Sequence, residues 1–553
     1  MTVPVRLSYN GSAIDQLLIK VASNEIDGDV STVKIRRGTA SYFSSSNPVL
    51  AAGEPGYETD TGVLKIGDGV TAYNSLYPVA SYMEGMPVGI EWDTSSSSPT
   101  LTRIDINGNV ITPAASFFDN HVIWGRMRRC VRNRTTGAIS YGTSPRGDGL
   151  ALNGSAGDVF VEIPTAKYKY EVSGTKRRWW LAPLNSNYPG FTIHPAAVQR
   201  GGKTRSKIYI GAYESGLMDD LGTLKMKSVS GAQPWTGTGG MYSRTFTSGS
   251  TAFTPDETLT GATSAATAKV VDYHLTGGSW AGGDAAGVVY LKLPSGTFAA
   301  EDVNGSVSGT NCATFGGALT AISLTLDQAE GYATAKGTGF GICNVWTYAY
   351  LQLLMYIEYG TFDIQTALGK GIVDLASGTG FAGKNTGADS IDSRIGTNGT
   401  GVGSGTNGQT PVCWRGIENL WGNCWEFIAG LNMYLLDGSY RILKRDGTGT
   451  PAATLGAGSY ETGSGTVPIT ADGYINGIQS DELGALAFIP SANSGSSSTY
   501  LCDQFYYPRN NPSAVLFSGY WYSSLTAGVS YRNACYAHST SHRVIGARLE
   551  FLP

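Results

Sequence analysis

The 553-residue chain is expected to fold as a multi-domain, mainly β protein with an α+β part that a small all-β insertion interrupts. Three observations carry this expectation. Glycine makes up 75 of 553 residues, about twice its usual ~7%, and falls repeatedly in turn pairs such as Thr61-Gly62 and Asp68-Gly69. Only two segments, 325–335 and 346–358, place apolar residues at helical spacing. The stretch 245–322 is almost entirely Gly, Ala, Ser, Thr and Val, and it repeats itself.

Composition excludes several functional classes. The net charge is −4, from 39 Lys+Arg against 43 Asp+Glu, so a dedicated nucleic-acid binder is not expected. A hydrophobic content of 41% argues against general disorder. No apolar run approaches the ~18 residues of a membrane span, so no membrane insertion is expected. The segment from Met1 to Tyr9 lacks the apolar core of a signal peptide, so the protein is expected to be either cytoplasmic or released by a route other than secretion, such as cell lysis. Seven scattered cysteines contain no Cys-x-x-Cys pair; no metal site is expected, and they read as buried reduced thiols.

Taken in order, residues 1–33 are short alternating segments, such as Val3-Pro4-Val5-Arg6-Leu7, that read as an attachment segment. Residues 34–85 read as strand, tight turn, strand, repeated, from Arg37-Gly38-Thr39-Ala40 to Leu64-Lys65-Ile66-Gly67-Asp68-Gly69. So short a unit buries little apolar area and is stable chiefly when several chains wrap together. Residues 88–244 hold alternating strands, with Val159, Val161 and Ile163 on one face. Residues 245–322 form the insertion. There Phe253-Thr-Pro-Asp-Glu257…Gly261 is matched by Phe298-Ala-Ala-Glu-Asp302…Gly305, and the copies lead into short strands at Ala266 to Val271 and Cys312 to Phe315. Residues 323–553 complete the interrupted domain. They contain the two helices, read as core packing, and a Gly/Thr/Asn-rich loop at 376–410 with none of the features of a phosphate loop.

Two motif groups carry family resemblances. The string Gly53-Glu54-Pro55-Gly56-Tyr57-Glu58-Thr59-Asp60-Thr61-Gly62-Val63-Leu64-Lys65-Ile66-Gly67-Asp68-Gly69 resembles the small N-terminal repeat of phage tail fibres and phage major tropism determinants. The resemblance implies a homotrimer attached to phage tail or baseplate proteins through its N-terminus. It places the protein in the virion, acting at the host cell surface. The second group is Trp414-Arg415-Gly416 with Trp421-Gly422-Asn423-Cys424-Trp425-Glu426-Phe427, joined by Gly546-Ala547-Arg548-Leu549 near the chain end. It resembles the formylglycine-generating-enzyme-like variant of the C-type lectin fold. Trp414, Arg415, Trp421, Gly422, Asn423, Trp425, Glu426, Gly546 and Arg548 are thereby expected to be structural.

No catalytic residue is assigned. Members of that fold that oxidise cysteine use two nearby thiols in the C-terminal segment, where this chain has Cys535, with Cys502 more than thirty residues away. Glu418 and Glu426 resemble an acid–base pair, but both lie in the structural corner. From Gln504 to Leu549 there is no Asp or Glu, so a calcium lectin site would lack carboxylates; no cofactor is expected.

That same stretch is rich in Tyr, Ser, Asn, His and Arg, the composition of adaptable binding surfaces. The resemblance to tropism determinants implies that this face contacts a bacterial surface receptor, protein or glycan. The candidate contacts are Tyr506, Tyr507, Arg509, Asn510, Tyr520, Tyr522, Ser523, Tyr531, Asn533, Tyr536, His538 and His542, with Tyr522, Tyr531, Asn533, Tyr536 and His538 expected to be exposed. Phe517 and Trp521 are expected to lie in the core. The alternatives are a structural tail or baseplate component without receptor contact, and a glycan-active tail enzyme. The basic runs Arg126–Arg134 and Lys176-Arg177-Arg178 read as cations paired with carboxylates and stacked on aromatic rings, in preference to an anion-binding patch.

Overall fold

The computed structural model describes residues 35–60, 63–76, 85–113, 116–220, 222–376, 381, 383–387, 407–451 and 459–553, together with the backbone of 3–9 and 12–19. The chain divides into two compact units, Met1–Met83 and Glu84–Pro553.

In the first unit, strands Val3–Tyr9 and Ser12–Ile19 pair as an antiparallel hairpin. A separate three-stranded sheet contains Arg36–Gly38, Pro55–Glu58 and Leu64–Ile66; the first pair is parallel and the second antiparallel. Parallel neighbours need a crossover rather than a tight turn. Part of that crossover is the helix Ala40–Ser46, which corrects the strand–turn–strand reading of this stretch. Thr39 caps the helix by accepting from Tyr42 N at 3.1 Å, and Asn47, in left-handed conformation, ends it. Seven residues reading Ala-Ser-Tyr-Phe-Ser-Ser-Ser carry no sustained apolar period, so only the cap marked it. Among the described residues of this unit the buried apolar cluster is Phe43, Leu50, Tyr73 and Leu76, with Phe43 stacked on Tyr73 at 4.1 Å. At the Asp68-Gly69 turn, Asp68 accepts from Val70 N and Thr71 N, and Gly69 takes φ +84°. The Thr61-Gly62 turn lies outside the described residues, as does most of the 376–410 loop.

The second unit is built around the helix Val345–Tyr359, which is buried on every side. A helix apolar all round belongs in a core. Asn344 caps its start, accepting from Trp346 N and Thr347 N, and Gly360 at φ +65° ends it. The preceding helix, Leu326–Thr334, opens on a capping box between Thr325 and Gln328. Both helices fall where the apolar spacing predicts them.

Three sheets surround this core. One runs Phe340–Ile342, Leu549–Phe551, Lys207–Gly211, Asp158–Pro164, Arg128–Arg132, Ile139–Tyr141. The chain end therefore pairs with strands from both sides of the inserted region. A second contains Thr192–Ile193, Ala166–Ser173, Lys176–Pro183, Val88–Asp93 and Thr102–Ile104. The third, which positions the candidate site, runs Tyr460–Thr462, Tyr440–Leu443, Trp425–Met433, Ser513–Ser518, Gly528–Tyr536, Gln504–Tyr506, Gly473–Tyr474, with Ile545–Ala547 parallel to Trp425–Met433.

Strands Met241–Gly249 through Gly309–Ala321 close into a six-stranded barrel with its own apolar core, including Phe246, Phe253, Leu259, Phe298 and Phe315. Its internal repeat is a pseudo-two-fold. Strands Thr258–Gly261 and Glu301–Gly305 pair antiparallel about the Thr260–Asn304 pair. The counterpart of Glu257 is Glu301, one residue before the Asp302 that the sequence alignment matches to it. Glu257 accepts from Val307 N, Ser308 N and Ser308 Oγ at 2.9–3.1 Å. Glu301 reciprocates on the other copy, accepting from Thr263 N at 2.6 Å and Ser264 N at 2.8 Å. Gly261 and Gly305 are required by these crossed contacts. A Cβ at 261 would lie 2.4 Å from Glu301 Oε1, and one at 305 would lie 2.5 Å from Glu257 Oε2.

Candidate functional site

The Trp-rich segment 413–427 forms a buried corner because five of its residues take left-handed backbone: Arg415, Gly416, Asn419, Gly422 and Asn423, with φ from +44° to +91°. Glycine and asparagine tolerate this region best. At Gly422 a Cβ would meet Ile372 O at 2.6 Å. Trp414 Nε1 donates to Glu358 Oε2 at 2.8 Å, beside Arg415, whose Nη2 reaches Glu358 Oε1 at 2.7 Å and Asp119 Oδ1 at 3.2 Å. Trp421 Nε1 donates to Lys370 O at 3.2 Å. Asn423 Nδ2 donates to Glu214 Oε2 at 2.6 Å, and its Oδ1 accepts from Lys384 N at 2.7 Å.

Arg548 locks the corner to the chain end. It pairs with Glu426 at 2.8 Å and donates to Glu418 O, Asn419 O and Gly211 O at 2.8–3.1 Å. Gly546 passes close to Cys424, where a Cβ would lie 3.3 Å from the sulfur. Glu418 and Glu426 are thus buried scaffold groups, 0% and 1% exposed. Glu214, also buried, has its carboxyl pushed up to about 7 by burial and by the Glu426 charge, against the opposing pull of Arg548. None of the seven cysteines, all of them among the described residues, is in a disulfide; six are buried and Cys535 is half-buried.

At the end of the corner Trp425 lies just beneath the surface, 8% exposed, and an aromatic wall assembles over it. Its ring lies 4.5 Å from Tyr520, 5.6 Å from Tyr536 and 6.4 Å from Tyr531; Tyr506 lies 5.7 Å from Tyr531. Tyr531 and Tyr536 differ in strand parity yet meet the same tryptophan. The strand bulges between them, the three steps from Asn533 to Tyr536 opposing two from Leu516 to Ala514. A bulge of one residue moves the following side chains to the other face. Tyr506, Tyr520 and Tyr536 are half-buried, and burial raises each phenol above its ordinary range, so the wall is uncharged near neutral pH. A turn from Gly519, held by Tyr520 N donating to Ser523 Oγ at 2.9 Å, lifts Tyr522 and Leu525 to 57% and 50% exposure.

Several expected contacts are corrected. Tyr531 and Asn533 are buried, at 1% and 3% exposure, because Gly528–Tyr536 is an inner strand of its sheet, covered on both faces. The helix Val345–Tyr359 sends Gln352 and Tyr356 to Ser530 and Arg532 on one face, and Tyr531 lies under Trp425 on the other. Ser523 is buried as the turn's acceptor. Asn510 braces the chain, donating to Cys535 O at 2.8 Å. Tyr522 is exposed as expected, whereas Tyr536 and His538 are half-buried. Phe517 and Trp521 lie in the core as expected, each 1% exposed.

The wall's margin is polar. Arg509 is exposed, pairs with Asp472 at 2.7 Å and stacks over Tyr507 at 5.1 Å. His538 hydrogen-bonds Asn432, and burial lowers its pKa against the opposing charge of Asp327. His542 is exposed, and its pKa is lowered by partial burial and by Arg543. Leu525 was missed in the sequence reading; an apolar residue inside a Ser/Tyr/Thr turn was the available signal.

Most of the basic runs pair with carboxylates or lie over aromatic rings, while Arg126 is exposed. Arg128 pairs with Glu162 at 3.1 Å and stacks on Tyr141, Arg134 pairs with Asp158 at 3.0 Å, and Arg132 lies over Phe551. Lys176 and Arg178 pair with Glu91 at 3.1 and 2.7 Å, and Arg177 lies over Trp92. Among the described residues no group of three or more His, Cys, Asp or Glu could hold a metal, and no helix is long and apolar enough to cross a membrane.

No curated protein matches the sequence. Among solved structures, the Major Tropism Determinant P3c, U1 and I1 Variants each align at 15% identity, over 94% of this chain and 99–100% of theirs. Their TM-score of 0.19 is too low to carry a fold argument. Residues 33–71 match the family model of the major tropism determinant N-terminal domain.

Proposed function

We propose that this chain is a phage tail-fibre or tail-tip receptor-binding protein that adheres to the bacterial surface through the wall around Trp425. The observation that carries the proposal is that wall: Tyr520 and Tyr536 half-buried on Trp425, Tyr506 half-buried on Tyr531, with Tyr522 and Leu525 raised beside them. Rigid, uncharged aromatic rings give a large contact area at small entropic cost, and the surrounding Ser, His and Arg side chains supply hydrogen bonds. The match of residues 33–71 to the major tropism determinant N-terminal domain supports placement on a phage virion.

In this reading the second unit is a C-type-lectin-like domain of the formylglycine-generating-enzyme-like variant. Its Gly-Asn-x-Trp-Glu corner and Arg548 serve as scaffold. No covalent chemistry takes part, and no cofactor is needed. The N-terminal unit joins three copies and attaches them to the tail. The four-residue apolar cluster among its described residues and its exposed Tyr42, Val49 and Val70, at 50–81% exposure, suit a fold completed by other copies. Three weak contacts on one virion then act together as avidity.

The test is binding of the full chain to a panel of intact bacterial cells, beside a Tyr520→Ala/Tyr522→Ala/Tyr536→Ala variant. Loss of binding with an unchanged melting profile supports the aromatic wall. Equal binding by both proteins contradicts it, and absence of binding by either favours a structural tail component.

A further inference from the structure

The barrel joins its unit through two connections, 236–240 before strand Met241–Gly249 and 322–325 after strand Gly309–Ala321. Both run beside the turn 538–543 at the margin of the aromatic wall. Ser541 Oγ accepts from Thr238 N at 2.9 Å on the entry connection and from Leu324 N at 2.8 Å on the exit connection. Thr238 Oγ1 is hydrogen-bonded to the same oxygen at 3.0 Å. A serine hydroxyl has two acceptor lone pairs, and the two backbone N–H groups fill both.

Other bonds reinforce this junction. Gly237 N donates to His542 O and Ile545 O, each at 3.1 Å, and Leu326 N to His538 O at 3.2 Å. A Cβ at position 237 would lie 2.4 Å from Ser541 Oγ and 2.6 Å from His542 N, so the close approach needs glycine. Below it, Met241, Tyr290 and Ile322 at the foot of the barrel share one apolar cluster with Trp425, Trp521 and Tyr531 under the wall. The barrel is fastened elsewhere by Tyr290 Oη donating to Asp219 Oδ2 at 2.6 Å and by Lys227 with Asp272 at 3.4 Å.

We propose that Ser541 is a positioning residue that ties both connections of the inserted barrel to the 538–543 turn, so that the barrel's seat and this margin of the wall open as one unit. The seat of the barrel thereby sets the geometry at which the wall meets its ligand. This last statement rests on the adhesion reading above; the mechanical coupling does not. The closed barrel has its own core, so its seat can loosen without the barrel unfolding.

Amide hydrogen exchange on the full chain tests the coupling, with Ser541→Ala, Ser541→Thr and Tyr290→Phe compared with the parent. Ser541→Ala is expected to speed exchange at Thr238 and Leu324 by about tenfold or more, and across 538–543 as well. Ser541→Thr, which keeps the hydroxyl, is expected to restore protection. Tyr290→Phe loosens the seat through Asp219 and is expected to speed exchange at 538–543 several-fold, about as much as it does at 236–240. Coupling is overturned if Tyr290→Phe leaves 538–543 unchanged, or if Ser541→Ala affects 238 and 324 alone. Binding to the same panel of bacterial cells is the second readout. A several-fold loss in Ser541→Ala, recovered in Ser541→Thr, supports positioning; unchanged binding overturns it. If the parent binds no cells the adhesion reading fails, and exchange alone then decides the coupling.

Discussion

Arg415 is fully buried between Glu358 and Asp119, with Trp414 sharing the Glu358 carboxylate. Removing one member of such a group leaves the others charged and unsolvated, which costs about 3–5 kcal/mol. Arg415→Met is therefore expected to destabilise the second unit by that order in a denaturant titration, with the aromatic wall left in place. Glu214 gives a pH signature. Its folded pKa, pushed up to about 7, lies above the ordinary carboxylate value, so the folded state holds a proton that the unfolded chain has released. Its contribution is fully present below about pH 4 and is lost as pH rises toward 7, a change of about 3 kcal/mol. Glu214→Gln should flatten stability over that window; an unchanged slope would assign it to another group. At this scale the sequence was informative where a residue has one available role. The Gly, Asn and Trp of the corner and the pairing of Arg128 and Arg134 with carboxylates lie where the motif and the charge pattern put them, whereas Arg126 is exposed. Tyr531 and Asn533 were misread because residue type reports what a side chain can bind, while burial depends on what covers the strand.

At the scale of elements, the two longest helices of the second unit were legible from their apolar period, which their caps support, Thr325 with Gln328 and Asn344 with Gly360, whereas the short helices Phe117–Asn120, Ile364–Leu368 and Glu482–Leu486 were not read. Helix Ala40–Ser46 was not legible either, since its only apolar anchor is Phe43 and its purpose is a parallel crossover that local sequence does not announce. The bulge that brings Tyr536 to Trp425 was equally hidden, because a one-residue shift leaves no compositional trace. The barrel's repeat was visible, but its register became clear only from the crossed Glu257 and Glu301 contacts. Burial alone would raise the Glu301 carboxyl, yet hydrogen bonds from Ser264 and Thr263 hold it well below the usual range. The stability it adds is present above the unfolded value near 4 and falls away as pH drops below it. Glu301→Gln should remove that acid-sensitive component from barrel unfolding followed by exchange. Gly305→Ala should destabilise the barrel by about 1–3 kcal/mol, since the new methyl must displace Ser308 and Glu257.

At the scale of the whole molecule, the proposed adhesion depends on copy number as well as on the face. The 39 residues matched to the major tropism determinant N-terminal domain are too few to bury much apolar area alone. Light scattering on the full chain is expected to give three times the 58.2 kDa chain mass, and a monomer would remove the avidity argument. The central claim is that the uncharged wall on Trp425 makes the host contact. Its most direct test is binding of the full chain to intact bacterial cells, with and without the Tyr520→Ala/Tyr522→Ala/Tyr536→Ala substitutions. The account predicts binding by the parent and loss of at least tenfold in the variant, with the melting profile unchanged. Undiminished binding by the variant would contradict it.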